Sequence, residues 1–156
     1  MSTAVQQHQQ ATPSVMLNQL EVTPEHVQSL SPAQIREAIA SLVREGKEAV
    51  AVAISEAALA LHPQSEDLLV IGSLVAEMQK DWPKAESLLV QLAELQTPNT
   101  TAQTWLHLAR VLRCQSKFDD SWLVLDFACS RYPQDSTLKQ EMQSLSELFP
   151  TPTDKA

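Results

Sequence analysis

AQTWLHLARVLRCQSKFDDSWLVLDFACSRYP, residues 102–133, carries the pattern from which the fold is read. Trp105, Leu108, Ala109 and Leu112 are spaced by threes and fours, then the apolar pattern breaks around Lys117 and resumes with Ser121 and Leu125 before Pro133. This spacing places the apolar residues on one stripe of each of two helices, with a tight turn between them and a proline that stops the second.

Working outward, the pattern recurs. Leu68, Leu69, Ile71, Leu74, Val75 and Met78 are followed by a break near Lys80-Asp81, then by Leu88, Leu89, Leu92 and Leu95 before Pro98. Further upstream, Ile35, Ala38, Ile39, Leu42 and Val43 precede Gly46, and Val50, Ala53, Ile54, Ala57, Ala58 and Leu61 precede Pro63. Ser31-Pro32 reads as an N-cap with proline at the first helical position, and Gln34 completes a capping box. Beyond Pro133, Leu138, Met142, Leu145 and Leu148 give a last helix with one apolar stripe and a polar back. The spacing predicts helices over 32–45, 48–61, 66–79, 83–96, 102–115, 118–131 and 136–148. Residues 1–13 are polar, glutamine-rich and aperiodic, which predicts a disordered tail; 14–31 read as a helical or docking segment, 32–149 as the repeat domain and 150–156 as a disordered end.

Position by position, Trp105, Leu108, Ala109, Leu112, Ser121, Leu125 and Pro133 resemble the tetratricopeptide repeat. Leu69, Gly72, Ala76, Ala85 and Leu89 occupy the matching places of a second unit, and Ile35, Ala38, Leu42, Ala51, Ala58 and Pro63 those of a first. Pro63 and Pro133 lie 70 residues apart, two periods of about 34 plus two, and the surplus fits an insertion around 99–101. The resemblance implies an all-α fold: a right-handed superhelix of three helix pairs with a C-terminal capping helix. Small residues such as Ala58 and Ala85 let helices approach, and Trp105 fills the space between pairs. No pair hides its own apolar face, so stacking is required.

Composition narrows the function. The chain has 156 residues, 44% of them hydrophobic, and a formal charge of −8. No repeat-length segment is net positive, which argues against nucleic acid because phosphate contacts need a basic face. No apolar run approaches the roughly 18 residues of a membrane span, and no signal-peptide pattern opens the sequence, so a cytoplasmic location without membrane insertion is expected. Cys114 and Cys129 are isolated and read as reduced, partly buried thiols. His8, His26, His62 and His107 are scattered, so neither a metal nor another cofactor is expected. His62 suits a helix C-terminus, and the acidic pairs Glu66-Asp67 and Asp119-Asp120 suit helix first turns rather than a catalytic dyad. With no phosphate loop and no nucleophile motif, the reading is not an enzyme.

In the tetratricopeptide family the inner helices line a concave groove. By repeat alignment the lining residues here are Ala33, Arg36, Ala40 and Val43, then Asp67, Val70, Leu74 and Glu77, then Gln103, Leu106, Arg110 and Arg113. Ordinary core is the alternative for Val43, Val70, Leu74 and Leu106, since a one-residue error of helical phase turns them inward. Affinity is expected to be apolar, with specificity from charges such as Arg36 and Arg110. The family's clamp for heat-shock C-termini needs basic and asparagine side chains; Arg36, Ala40, Ile71, Gln103 and His107 stand there, four of them departing from the pattern, so that use is rejected.

The string Ala102-x-x-Trp105-Leu106-x-Leu108-x-Arg110 and the turn Asp81-Trp82-Pro83-x-Ala85 are similar to small tetratricopeptide chaperones of bacterial type III secretion. That resemblance implies a chaperone or adaptor holding an apolar client segment. The alternative is a scaffold or self-associating subunit, with a homodimer formed through residues 15–30, where Val15, Met16, Leu17, Leu20 and Val22 make an apolar patch.

Overall fold

The computed structural model describes residues 24–149. Within them the helices are α1 (Pro24–Gln28), α2 (Pro32–Arg44), α3 (Glu48–Leu61), α4 (Glu66–Met78), α5 (Trp82–Leu95), α6 (Ala102–Cys114), α7 (Phe118–Arg131) and α8 (Ser136–Leu148). Each of the seven long helices falls within a residue of its sequence-derived bounds at either end. The short α1 lies in the segment read as helical or docking. The apolar patch at 15–22 and the two expected disordered ends lie outside the described residues.

Side-chain caps fix where most helices start. Ser31 Oγ accepts the N–H of Gln34 at 3.3 Å, and Gln34 Oε1 accepts the N–H of Ser31 at 2.9 Å, a complete capping box. Ser65, Asp81, Thr101 and Asp135 cap α4, α5, α6 and α8 by accepting a first-turn N–H on the side-chain oxygen, without the reciprocal bond. Lys47 and Lys117 provide no side-chain cap for α3 and α7. There Glu48, and Asp119 with Asp120, stand in the first turn, where negative charge offsets the unpaired N–H groups.

Within each pair the turn is the same device. Gly46, Lys80 and Ser116 take left-handed φ values of 73°, 57° and 60°. The following residues, Lys47, Asp81 and Lys117, donate their N–H groups five residues back to Leu42, Ala76 and Leu112 at 2.9, 2.9 and 3.0 Å. This is the Schellman closure, which satisfies carbonyls at the helix end while reversing the chain.

The core is one strip in three parts. Val27, Ile35, Ile39, Leu42, Ile54, Leu68 and Val75 belong to the first part, and Leu69, Ala85, Leu88, Leu89, Leu92, Leu108 and Val111 to the second. Leu106, Ala109, Leu125, Ala128, Leu138 and Leu145 make the third. Leu59 packs against the first two parts, and Trp105 and Val124 against the last two, so the parts join. Ala51, Ala58, Ala85 and Ala128 are wholly buried, the small residues that close approach requires. Gly72 marks the tightest approach: a Cβ there would meet Leu59 Cδ1 at 2.8 Å. Val27, on α1, is buried and Leu30 packs beside it, so this short helix closes the N-terminal end of the strip.

Polar contacts roughly one repeat apart tie helices within and between pairs. Lys84 Nζ on α5 donates to Glu56 on α3 at 2.7 Å, across two pairs, and Gln96 Nε2 at the end of α5 donates to Glu66 on α4 at 2.9 Å, within one pair. Lys117 Nζ and Gln115 Nε2 both donate to Glu86 Oε2 at 2.6 Å. The insertion after α5 is held by the far end of α7: Tyr132 donates its hydroxyl to the carbonyl of Thr100, and Arg131 Nη2 reaches that of Pro98 at 3.0 Å. Thr100 is buried and donates to the carbonyl of Ala93 at 2.9 Å.

Two predictions follow from these contacts. Gly46→Ala meets no atom within 4 Å, so its cost is the left-handed φ alone, about 1–2 kcal/mol. Lys80→Gly acts in the opposite direction by less, since glycine also loosens the unfolded chain; urea unfolding midpoints should move apart accordingly. The second concerns acid. The hydrogen bond from Lys117, against an opposing burial cost, holds the Glu86 carboxyl below its usual range. A depressed acid stabilises the fold above its unfolded pKa and loses that contribution as pH falls through its folded pKa. Glu86→Gln should therefore be less stable than the natural chain at neutral pH, by at most about 1 kcal/mol, and the deficit should close below the carboxylate range in unfolding measured against pH.

Candidate partner-binding face

Helices α2, α4 and α6 are the first helices of the three pairs, and α8 takes the same place after them. A period near 34 sets equivalent positions of successive first helices side by side, and their charged groups meet across the gap. Arg36 Nη1 on α2 contacts Asp67 Oδ1 on α4 at 2.5 Å. His107 Nε2 on α6 lies against Glu77 Oε1 on α4. Arg110 Nη2 and Arg113 Nη1 on α6 reach the two carboxylate oxygens of Glu141 on α8 at 2.8 and 2.6 Å. The result is one polar contact per junction, with opposite charges paired at the first and third.

This pairing corrects the expected role of charge. Arg36 is paired with both Glu37 and Asp67, which raise its guanidinium above its usual range. Arg110 and Arg113 share one buried carboxylate. The cations expected to select a partner are therefore engaged within the chain. Asp67, read from the sequence both as a first-turn acid and as a groove residue, stands in the first turn of α4 and is paired with Arg36.

The apolar residues divide. Val70 and Leu74, one turn apart on α4, are 37% and 46% exposed. Ala40 and Val43 on α2 are half-buried against the first part of the core. Leu106 departs from expectation: it is 4% exposed and packs with Leu125, Leu138 and Leu145. The physical reason is α8, whose apolar stripe covers the position that stays open at Val70 in the preceding pair. Ala33 and Gln103 are exposed at the helix starts. The face therefore brings Arg36, Ala40, Val43, Val70, Leu74, Glu77, Arg110 and Arg113 onto one set of helices, with an apolar centre on α4.

That centre lies between two junctions of different kinds. α2 packs directly on α4, whereas α4 and α6 are held together chiefly through α5. Glu77 and His107 bridge the two across this junction, which also contains the inserted loop.

Sequence reasoning missed a second exposed apolar pair, Leu123 and Phe127 on α7, 59% and 55% exposed. Phe127 sets its ring edge against Trp105 at a centroid distance of 5.4 Å. The available signal was their place in the repeat: neither belongs to the Ser121, Leu125, Ala128 packing stripe, yet both are large and apolar. Cys114 is exposed rather than partly buried, Cys129 is half-buried, and both are free thiols; burial pushes Cys129 up, which makes it a poorer nucleophile. His62 is the C-cap of α3.

No family model matches the sequence, and no curated relative matches it. Solved structures do match in shape. MamA MSR-1 superposes with a TM-score of 0.68 at 17% identity, over 86% of this chain and 74% of that one. The first tetratricopeptide domain of Spaghetti (RPAP3), solved with the HSP90 peptide SRMEEVD, gives 0.64 at 13% identity over 75% and 91%. A tetratricopeptide repeat protein from Parabacteroides merdae gives 0.64 at 15%, over 79% of this chain and 50% of that one. The fold is thus a tetratricopeptide-type helical superhelix. Among the described residues no helix is long and apolar enough to cross a membrane.

The different burial of two leucines gives a direct check. Leu106→Glu places a charge in the core and should cost more than about 3 kcal/mol, enough to collapse the helical signal. Leu74→Glu should change the melting midpoint little, since surface substitutions stay within about 0.5 kcal/mol. Circular dichroism melts of the two variants separate these outcomes.

Proposed function

We propose that the chain is a protein-binding adaptor that holds an apolar segment of a client on its inner face, across Val70 and Leu74. The observation that carries this is the middle of α4, LLVIGSLVA at 68–76. It has no charged residue and is apolar all round, the composition of a helix meant to be covered on every side. Its other seven residues are buried, while Val70 and Leu74 stand open. Arg36, Asp67 and Arg110 are in internal ion pairs, which supports an uncharged apolar segment over an acidic or basic one.

A narrower reading is a cytoplasmic chaperone of type III secretion, with a secreted protein or secretion component as client. Its support is the similarity of the 102–110 string and the 81–85 turn to that group, the acidic charge, and three pairs closed by one helix. The proposed role is binding without catalysis or cofactor. A second reading, a scaffold with a permanent partner, is favoured by Leu123 and Phe127 on the outer helix.

The test is a double substitution on the inner face. Fully covering either side chain would contribute roughly 1.5–3 kcal/mol; both are already partly buried, so about 1–2 kcal/mol each is expected. Val70→Glu with Leu74→Glu should then weaken client binding at least tenfold with helicity unchanged. The client is first identified by cross-linking in the native cell, and its affinity is measured by calorimetry against both chains. Equal affinity, with loss on Leu123→Glu instead, would move the binding surface to the outer helix.

A further inference from the structure

We infer that the outer face of α7 binds a second copy of this chain: two α7 helices pack antiparallel about a twofold axis beside Leu125, and Leu123 of each lies against Phe127 of the other. This contact leaves the inner face open to a client and does not depend on one.

The outer surface of α7 carries a row of side chains that the other outer helices lack. Asp119, Leu123, Phe127 and Arg131 follow one another at four-residue steps, which makes them one ridge along the helix, and all four are exposed. At the places of Leu123 and Phe127, α3 has Ala53 and Ala57, and α5 has Ser87 and Gln91. The fold therefore does not require a large apolar side chain at either position. The buried side of α7 is Ser121, Leu125 and Ala128, whereas Leu123 and Phe127 are 59% and 55% exposed. Two such groups one turn apart are apolar surface that gains from cover by a partner.

The order of the row identifies the partner. It runs acid, apolar, apolar, base from the start of α7 to its end, so it is complementary to itself turned end for end. About an axis beside Leu125, Leu123 meets Phe127, and Asp119 meets Arg131 near each end. Symmetry repeats both contacts, as an isologous interface demands. Arg131 gives an N–H to the carbonyl of Pro98 at 3.0 Å; that acceptor is neutral, so the contact leaves the guanidinium charge to be matched from outside. A parallel copy would instead set Asp119 on Asp119 and Arg131 on Arg131. The antiparallel copy also opposes the two helix dipoles.

Rows of this kind interlock at an angle of about −50°, with helix axes 8–10 Å apart. A contact one helix wide falls short of the about 1,000 Å² of a lasting interface, so the dimer is reversible, with a dissociation constant on the order of 10–100 µM. Asp126 flanks the row on one side, where the twofold axis brings its two copies together, and like charges there oppose the contact.

The test is sedimentation equilibrium of the full chain between about 1 µM and 1 mM, where a monomer–dimer equilibrium is expected. Leu123 packs in none of the three core parts, so Leu123→Glu should weaken the dimer at least tenfold with the helical signal unchanged and client affinity unaltered. Arg131→Asp sets acid against acid, and Asp119→Arg sets base against base; each alone should weaken the dimer about fivefold. Both substitutions in one chain restore the match only in the antiparallel arrangement, and should bring the dimer back to within about twofold of its natural strength. Asp126→Asn should tighten it. In a mixture of differently labelled natural chains, magnetic resonance should show cross-peaks between copies from the Leu123 methyl groups to the Phe127 ring, a readout that needs no variant to fold. A chain still monomeric at about 1 mM, a dimer indifferent to Leu123→Glu, or a dimer without those cross-peaks overturns the proposal. So does a doubly substituted chain that is folded by circular dichroism yet dimerises no better than the single variants. A client that competes with the dimer would make α7 the client's own site and overturn it as well.

Discussion

Everything in this structure depends on the fact that a helix pair of about 30 residues cannot bury its own apolar surface. Leu59 and Trp105 make the dependence visible. Each packs against two parts of the core at once and so joins its own pair to a neighbouring one. Stability is therefore a sum of pair and interface terms, and the ends need special treatment. At one end α1 lays Val27 into the first part of the core. At the other, α8 supplies Leu138 and Leu145 inward and shows solvent a polar back.

The same constraint explains what could be read from sequence. Packing positions such as Leu108, Ala109 and Leu125 recur at three and four residues, and the breaks at Gly46, Lys80 and Ser116 recur near 34, so helices and turns follow from local spacing. Leu106 does not, because its burial is decided by Leu138, 32 residues later, on a helix outside the repeat pattern. The groove alignment treated Leu106 as equivalent to Val70, and by register it is; the neighbour differs. The left-handed φ at Lys80 and Ser116 was equally hidden, since only Gly46 carries the residue that advertises it.

The ion pairs were legible in principle but not seen. Once the period is known, Arg36 and Asp67, Glu77 and His107, and Arg110 and Glu141 fall 30 or 31 residues apart, three or four short of a full repeat. Reading charges within one helix at a time assigned Glu66-Asp67 to the helix dipole and Arg110 to a partner. Both groups have a longer-range counterpart. A pair of half-exposed groups adds little stability, but Glu141 is buried and holds two arginines. A buried pair of this kind contributes more to the register of α8 on α6 than to net stability.

Internal pairing of charge then bears on recognition. The second pair carries a net charge of −4 over 66–99, so an acidic inner face and a basic client would be the simplest expectation. The structure separates the two. The acids of α4 sit in its first and last turns, at Glu66, Asp67 and Glu77, and its middle is free of charge. Asp67 is paired with Arg36 on α2, and Glu77 lies against His107 on α6. Net charge therefore governs solubility, while the part of α4 left open is governed by Val70 and Leu74. In the proposed binding role a ligand for that surface would gain by desolvating apolar side chains and little from charge, which favours an uncharged apolar stretch over a basic one.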